Sequence, residues 1–148
     1  MSKEMIRIIL VDNHKLVRES WKLLLHNNSN LSVIADCDNG QGAIRLVQEI
    51  MPDVMLIDIN MKPMNGFEVT EQLLKINPSL KIIGLSVHNQ PHYASKLIEL
   101  GAKGYLTKTS PLEEVNHCIS QVYNGHYYIC EEVRRNMTAE DQRKMKLH

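Results

Sequence analysis

The 148-residue chain has no long apolar run; its longest are four to six residues. A bilayer-spanning helix needs roughly 20, so the sequence holds no membrane span. Its first residues, MSKEMIR, lack the apolar segment of a secretory signal. An excess of one charge is also missing, because Lys plus Arg and Asp plus Glu each total 17 and the net charge is zero. No global field therefore draws the chain to nucleic acid or to an anionic membrane. Cysteine is scarce, and Cys37, Cys118 and Cys130 form neither an even set nor a metal-ligand spacing. That count suits a reduced, cytoplasmic protein whose thiols are small packing groups. Internal repeats and low-complexity segments are absent as well.

What remains is an ordinary globular composition, 43% apolar and 23% charged, in a length that suits one domain. Short apolar runs at 6–11, 31–35, 54–57, 81–87 and 103–107 are bounded by turn residues and predict strands. Between them apolar residues recur at three- and four-residue steps, which predicts helices. The first such set is Leu16, Val17, Trp21, Leu24 and Leu25, and the second is Ala43, Val47, Ile50 and Met51. Leu73 with Ile76, Tyr93 with Leu97 and Leu100, and Val115, Cys118, Ile119 and Val122 continue the pattern. Asn65 is placed to cap the third helix, and Ser110 the fifth, with Pro111 in its first turn and Glu113 closing a capping box. Gly101 and Gly125 mark helix stops. Strands that alternate with helices predict an α/β fold with an open, doubly wound parallel sheet, and five units are too few for an eightfold barrel.

In such sheets ligands bind beyond the carboxyl ends of the strands. The first strand is followed by Asp12-Asn13-His14, the third by Asp58-Ile59-Asn60, the fourth by Ser86-Val87-His88 and the fifth by Thr107-Lys108. Four strands thus deliver two carboxylates, an amide, a hydroxyl and an ammonium to one edge. Oxygen ligands of this kind suit a small divalent cation such as Mg²⁺. A carboxylate beside that cation can attack phosphorus and become an acyl phosphate, with a lysine and a hydroxyl sharing the phosphoryl oxygens. A flavin- or nucleotide-binding protein fits poorly, because Asp12 stands where a phosphate-binding loop needs glycine and backbone N–H groups. A haloacid-dehalogenase-type phosphatase would want an aspartate where Asn60 stands.

The motifs ILVDNHKLVRE, PDVMLIDINMKPMNGFE, IIGLSVH and GAKGYLTKTSP carry a family resemblance. From about residue 5 to residue 125 the chain resembles the receiver domain of bacterial two-component response regulators, in particular the NarL/FixJ (LuxR-type) subfamily. The resemblance implies a flavodoxin-like fold with strand order 2-1-3-4-5, a receiver over residues 1–126, and a linker or tail over 127–148, partly helical or disordered. It implies Asp58 as phosphoacceptor and Mg²⁺ held by Asp12, Asn13, Asp58 and the Asn60 backbone carbonyl. Lys108 would pair with the phosphoryl group, Ser86 would move to bond it, and Tyr105 would be the aromatic switch, partly exposed until then. The implied partners are a sensor histidine kinase or phosphotransfer protein, and a second copy of the chain on phosphorylation. The implied activity is self-phosphorylation and dephosphorylation rather than turnover of a substrate.

Two departures weaken the metal site. The family usually has an acid where Asn13 stands, so one negative charge is lost, and Lys62-Pro63 brings a cation to the pocket mouth. They support a second reading, a degenerate receiver that acts as a protein-interaction module and is never phosphorylated. His14, His88 and His92 surround the expected pocket without a zinc spacing and read as solvated side chains. Trp21 reads as part of the first helix's apolar face. In the subsidiary family a linker like 127–148 leads to a helix-turn-helix domain, and these residues are too few to form one. The expectation is therefore a stand-alone receiver or a piece cut before a DNA-binding domain, with no contact to nucleic acid by this segment itself.

Overall fold

All five expected strands form in the structure, a computed structural model that describes residues 5–144. They are β1 (Ile6–Val11), β2 (Leu31–Cys37), β3 (Val54–Asp58), β4 (Ile82–Ser86) and β5 (Gly104–Thr107). Between and after them lie α1 (Lys15–His26), α2 (Gly40–Glu49), α3 (Gly66–Ile76), α4 (Pro91–Glu99) and α5 (Leu112–Tyr123). The sheet is parallel throughout, in the order β2-β1-β3-β4-β5, and a short β6 (Tyr128–Ile129) adds to the β5 edge. This is the flavodoxin-like order that the family resemblance implies. Every residue of β3, β4 and β5 is buried, as continuous apolar strands covered on both faces must be.

Right-handed crossovers place α1 on the face opposite α2, α3 and α4, so the chain reverses direction between β1 and β3. Two glycines reveal the sides of the later helices. A Cβ on Gly104 would meet Val122 and Cys118 of α5, whereas one on Gly84 would meet Leu97 of α4. Helix α5 therefore covers the face opposite α4. Helix α3 starts with Asn65, whose side chain accepts from Glu68 N at 2.9 Å while Glu68 accepts from Asn65 N, the reciprocal cap expected there. Helix α4 is followed by Gly101 and α5 by Gly125, at φ 113° and 90°, where a side chain would be strained.

The differences are local. Of the apolar residues assigned to helix faces, Leu16, Leu24, Met51 and Ile76 are exposed. Trp21 and Leu25 are the buried anchors of α1, with Val17 half-buried against the core beside them, because one helix stripe reaches the sheet and its neighbours overhang it. Ser110 does not cap α5. Pro111 holds ψ 151° and takes the N-cap position, so Ser110 instead shares a 3.1 Å hydrogen bond with Thr107 through the two hydroxyls.

The segment after residue 126 contains short helices α6 (Glu131–Arg134) and α7 (Ala139–Lys144), and also β6. Ile129, Cys130 and Val133 join the core, so burial of apolar surface holds this stretch to β5 and α5. Residues 145–148, and with them the expectation of a frayed end, lie outside the described residues. No helix among the described residues is long and apolar enough to cross a membrane.

Candidate functional site

Strands β1 and β3 are neighbours in a register that pairs Val11 with Ile57, so Asp12 and Asp58 emerge side by side. Both side chains are fully buried. Each carboxylate is fixed by the turn that follows it. Asp12 Oδ1 accepts from His14 N at 2.9 Å, and Asp58 Oδ1 accepts from Asn60 N at 2.9 Å. The second oxygens face a common space at the sheet's edge. Gly66 makes that approach possible: a Cβ there would strike the Ile59 backbone and come within 2.7 Å of the Asp58 carbonyl. The Asn65-Gly66 pair therefore lets α3 begin against the end of β3.

Lys108 enters from the end of β5. Its backbone N–H donates to Ser86 O at 2.8 Å, and its Nζ lies 3.1 Å from Asp12 Oδ2 and 3.2 Å from Asp58 Oδ2. The ammonium thus bridges two carboxylates that would otherwise repel each other. Its bond to Asp12 has hydrogen-bond geometry, but the approach to Asp58 Oδ2 is an ion-pair contact, and that buried oxygen has no hydrogen-bond donor among the described residues. Burial pushes the Asp58 carboxyl above the usual carboxylate range. The Asn60 N–H and Lys108 pull it down, and Asp12 pushes it further up.

Ser86 and Tyr105 sit behind this pair. Ser86 Oγ is 3.4 Å from Asn60 Oδ1 and accepts from His88 N at 2.9 Å. Tyr105 is fully buried, contrary to the partly exposed ring that the sequence suggests. Its hydroxyl donates to His88 O at 2.8 Å, so the polar tip keeps a partner and ring burial costs little. Desolvation raises the Tyr105 hydroxyl above its ordinary range.

The sequence therefore names residues that the structure does bring together: Asp12, Asp58, Lys108, Ser86, Asn60 and Tyr105. Asn13 is exposed beside them. All three histidines read as merely solvated are engaged, His92 through its ring against Tyr93 with centroids 4.2 Å apart. His88 stacks on Tyr93 with ring centroids 4.2 Å apart and lies 3.2 Å from Asn60 Nδ2. His14 Nδ1 lies 3.4 Å from Asp12 Oδ1 and 3.9 Å from Asp58 Oδ2. Its place two residues after a strand-end aspartate was the available signal. The cluster of Asp12, His14 and Asp58 keeps its ligand atoms within 4.8 Å of one another, close enough to hold a divalent cation.

The family model for the response regulator receiver domain matches residues 8–120. The chain belongs to that family. This receiver domain is 34% identical to the transcriptional regulatory protein DegU of Brevibacillus brevis over 143 residues, 97% of the chain and 61% of DegU. It is 34% identical to the response regulator GacA of Pseudomonas aeruginosa over 136 residues, 92% of the chain and 64% of GacA. The chain thus spans less than two thirds of the length of these relatives. Among solved structures, a LuxR-family response regulator from Aurantimonas sp. SI85-9A1 superposes with a TM-score of 0.88 at 28% identity, covering 93% of this chain and 98% of that one. The receiver domain of the putative regulator NarL from Mycobacterium tuberculosis gives 0.78 at 27% identity, covering 83% and 99%. The relatives place this receiver domain among NarL/FixJ-type, LuxR-family regulators of two-component signalling.

Proposed function

We propose that the chain is a phosphorylation switch that takes a phosphoryl group on Asp58 from a phosphohistidine of a sensor kinase or phosphotransfer protein. One observation carries this: Asp58 Oδ2 is buried, has no hydrogen-bond donor among the described residues, and lies 3.2 Å from Lys108 Nζ. The Asn60 N–H holds the other oxygen, so Oδ2 is the one free to attack. Attack forms the Asp58 O–P bond as the P–N bond to the donor imidazole breaks, and that nitrogen leaves with the bonding pair. Lys108 then has a phosphoryl oxygen to bond in place of the carboxylate, and Ser86, whose hydroxyl is poised at the end of β4, turns toward another.

The two buried carboxylates side by side also fit a divalent cation. Asp12, Asp58, the Asn13 side chain and the Asn60 carbonyl would hold Mg²⁺, which supplies charge neutralisation to the transferring phosphoryl group. Asn13 contributes no charge, so this receiver should need more Mg²⁺ than one with an acid there. The chemistry is self-modification rather than substrate turnover. Movement of Ser86 frees the His88 N–H, which shares its loop with the carbonyl that Tyr105 holds, so the phosphoryl signal reaches the surface around residues 88–105.

The unit over residues 1–126 is proposed as the receiver and 127–148 as its C-terminal linker or tail, in a cytoplasmic protein. DegU is a transcriptional regulatory protein, which supports an output in transcription, and we extend this to a DNA-binding domain elsewhere and to pairing of two receivers on phosphorylation. A degenerate, unphosphorylated module is not favoured, because the ammonium and both carboxylates are in contact despite Asn13. Amide NMR with beryllofluoride, a phosphoryl mimic, and Mg²⁺ tests the switch. Shifts should concentrate at 12–14, 58–60, 86–89 and 105–108, and Ser86→Ala should retain those at 58–60 while losing those at 88–105. A full wild-type pattern in Ser86→Ala would overturn the coupling.

A further inference from the structure

The cation site has one side chain that an all-oxygen site does not use. His14 stands at the N-cap of α1, yet its side chain makes no capping hydrogen bond. Its imidazole is instead turned toward the carboxylates, with Nδ1 3.4 Å from Asp12 Oδ1 and 3.9 Å from Asp58 Oδ2, while the side chain is 61% exposed. First-row transition ions bind nitrogen and carboxylate oxygen at about 2.0–2.2 Å, so two donors on one ion lie about 3–3.5 Å apart at tetrahedral or right angles. The His14–Asp12 separation already matches, and the His14–Asp58 separation is a few tenths of an ångström longer. Asp58 Oδ2, which faces the Lys108 ammonium at 3.2 Å and has no hydrogen-bond donor among the described residues, is the third point of this triangle.

We propose that His14 is a metal ligand through Nδ1, which makes this site selective for a first-row transition dication such as Co²⁺, Mn²⁺ or Zn²⁺ over Mg²⁺. The inference rests on the reading of Asp12 and Asp58 as a cation site and adds its donor set. Mg²⁺ prefers six oxygen ligands, and a neutral imidazole offers it little. An imidazole with two carboxylates is a mixed N,O set, for which affinity rises along the series from Mn²⁺ toward Cu²⁺. Asn13 strengthens the case, because the charge that would favour Mg²⁺ is absent beside His14. For ligation the ring proton resides on Nε2, which the exposed edge of the ring presents to water.

Calorimetric titration of the metal-free protein with MgCl₂ and with CoCl₂ tests this, alongside the visible absorption of the cobalt form. The wild type should bind Co²⁺ at least about tenfold more tightly than Mg²⁺, and His14→Ala should lose about tenfold or more for Co²⁺ with little change for Mg²⁺. The cobalt absorption should shift on that substitution as a nitrogen donor is replaced by water. Since the side chain is exposed and caps nothing, His14→Ala should fold as the wild type does, and circular dichroism checks it. Equal Co²⁺ affinity and an unshifted spectrum in His14→Ala would overturn the ligand and leave the carboxylate site standing. Cobalt binding that persists in Asp58→Asn would place the metal at other histidines and also overturn it. A wild type that binds neither ion would remove the cation site itself, and this inference with it.

Discussion

Lys108 carries more of the site's electrostatics than any other side chain, and Lys108→Gln should show it. The ammonium is only 14% exposed and touches two fully buried carboxylates at 3.1 and 3.2 Å. At an effective dielectric of about 20, each contact has a gross Coulomb energy of about 5 kcal/mol. Desolvation of the three groups offsets much of that, but removing one member leaves two unneutralised carboxylates, which typically costs about 3–5 kcal/mol. A loss of that size lowers the Tm by on the order of 10 °C. Burial already holds the Asp58 carboxyl above its usual range, and loss of the ammonium raises it further. A raised carboxyl binds protons more tightly in the folded state, so its stabilising effect is present at low pH and is lost as pH rises. The deficit of Lys108→Gln should therefore be full at neutral pH and shrink as acid protonates Asp58. Added Mg²⁺ should restore part of it by binding only the folded form. Urea unfolding followed by Trp21, which is buried on α1, gives the numbers. A loss below about 1 kcal/mol, the ceiling for exposed ion pairs, or one that is the same in acid and at neutral pH, would refute the reasoning.

Gly66→Ala should cost about 1–3 kcal/mol in urea unfolding, because the methyl meets the Ile59 backbone and the Asp58 carbonyl, which cannot yield as a side chain can. It should also shift the amide resonances of Asp58 and Asn60. Glu132 accepts from Asn89 Nδ2 at 3.0 Å and from the Thr107 and Thr109 hydroxyls at 3.1 Å each, and these bonds hold its carboxyl below the usual range. Glu132→Ala should speed amide hydrogen exchange over 128–136 while global stability changes by less than about 1 kcal/mol. Asn13→Asp should tighten Mg²⁺ binding, since a unit charge is added within reach of the cation, and the same titration in both proteins decides it.

The five parallel strands were legible because each apolar run is short, bounded by turns and separated from the next by helical periodicity, whereas their order came only with the family resemblance. The site was legible for a related reason: chemistry-bearing residues fell at the same end of four strands, and a parallel sheet gathers such ends. What stayed hidden depends on contacts through space. His14 reads as one more surface histidine until the Val11–Ile57 pairing sets Asp58 beside Asp12. Tyr105 could be judged buried only once the His88 carbonyl was known to receive its hydroxyl. The tail read as partly helical or disordered, because its buried residues Ile129, Cys130 and Val133 lie beside a run of charges and find their partners on β5, α4 and α5, which are distant in sequence. Ser110 matched a capping pattern, but the extended backbone of Pro111 moved the helix start by one residue.

The central claim, that Asp58 is the phosphoacceptor, is tested most directly by intact-mass measurement after incubation with acetyl phosphate and Mg²⁺. The wild type should gain the mass of one phosphoryl group and lose it over time as the acyl phosphate hydrolyses. Ser86→Ala should gain it too, and Asp58→Asn should gain none. A wild type that never gains the mass, or an Asp58→Asn variant that gains it as the wild type does, would contradict the account.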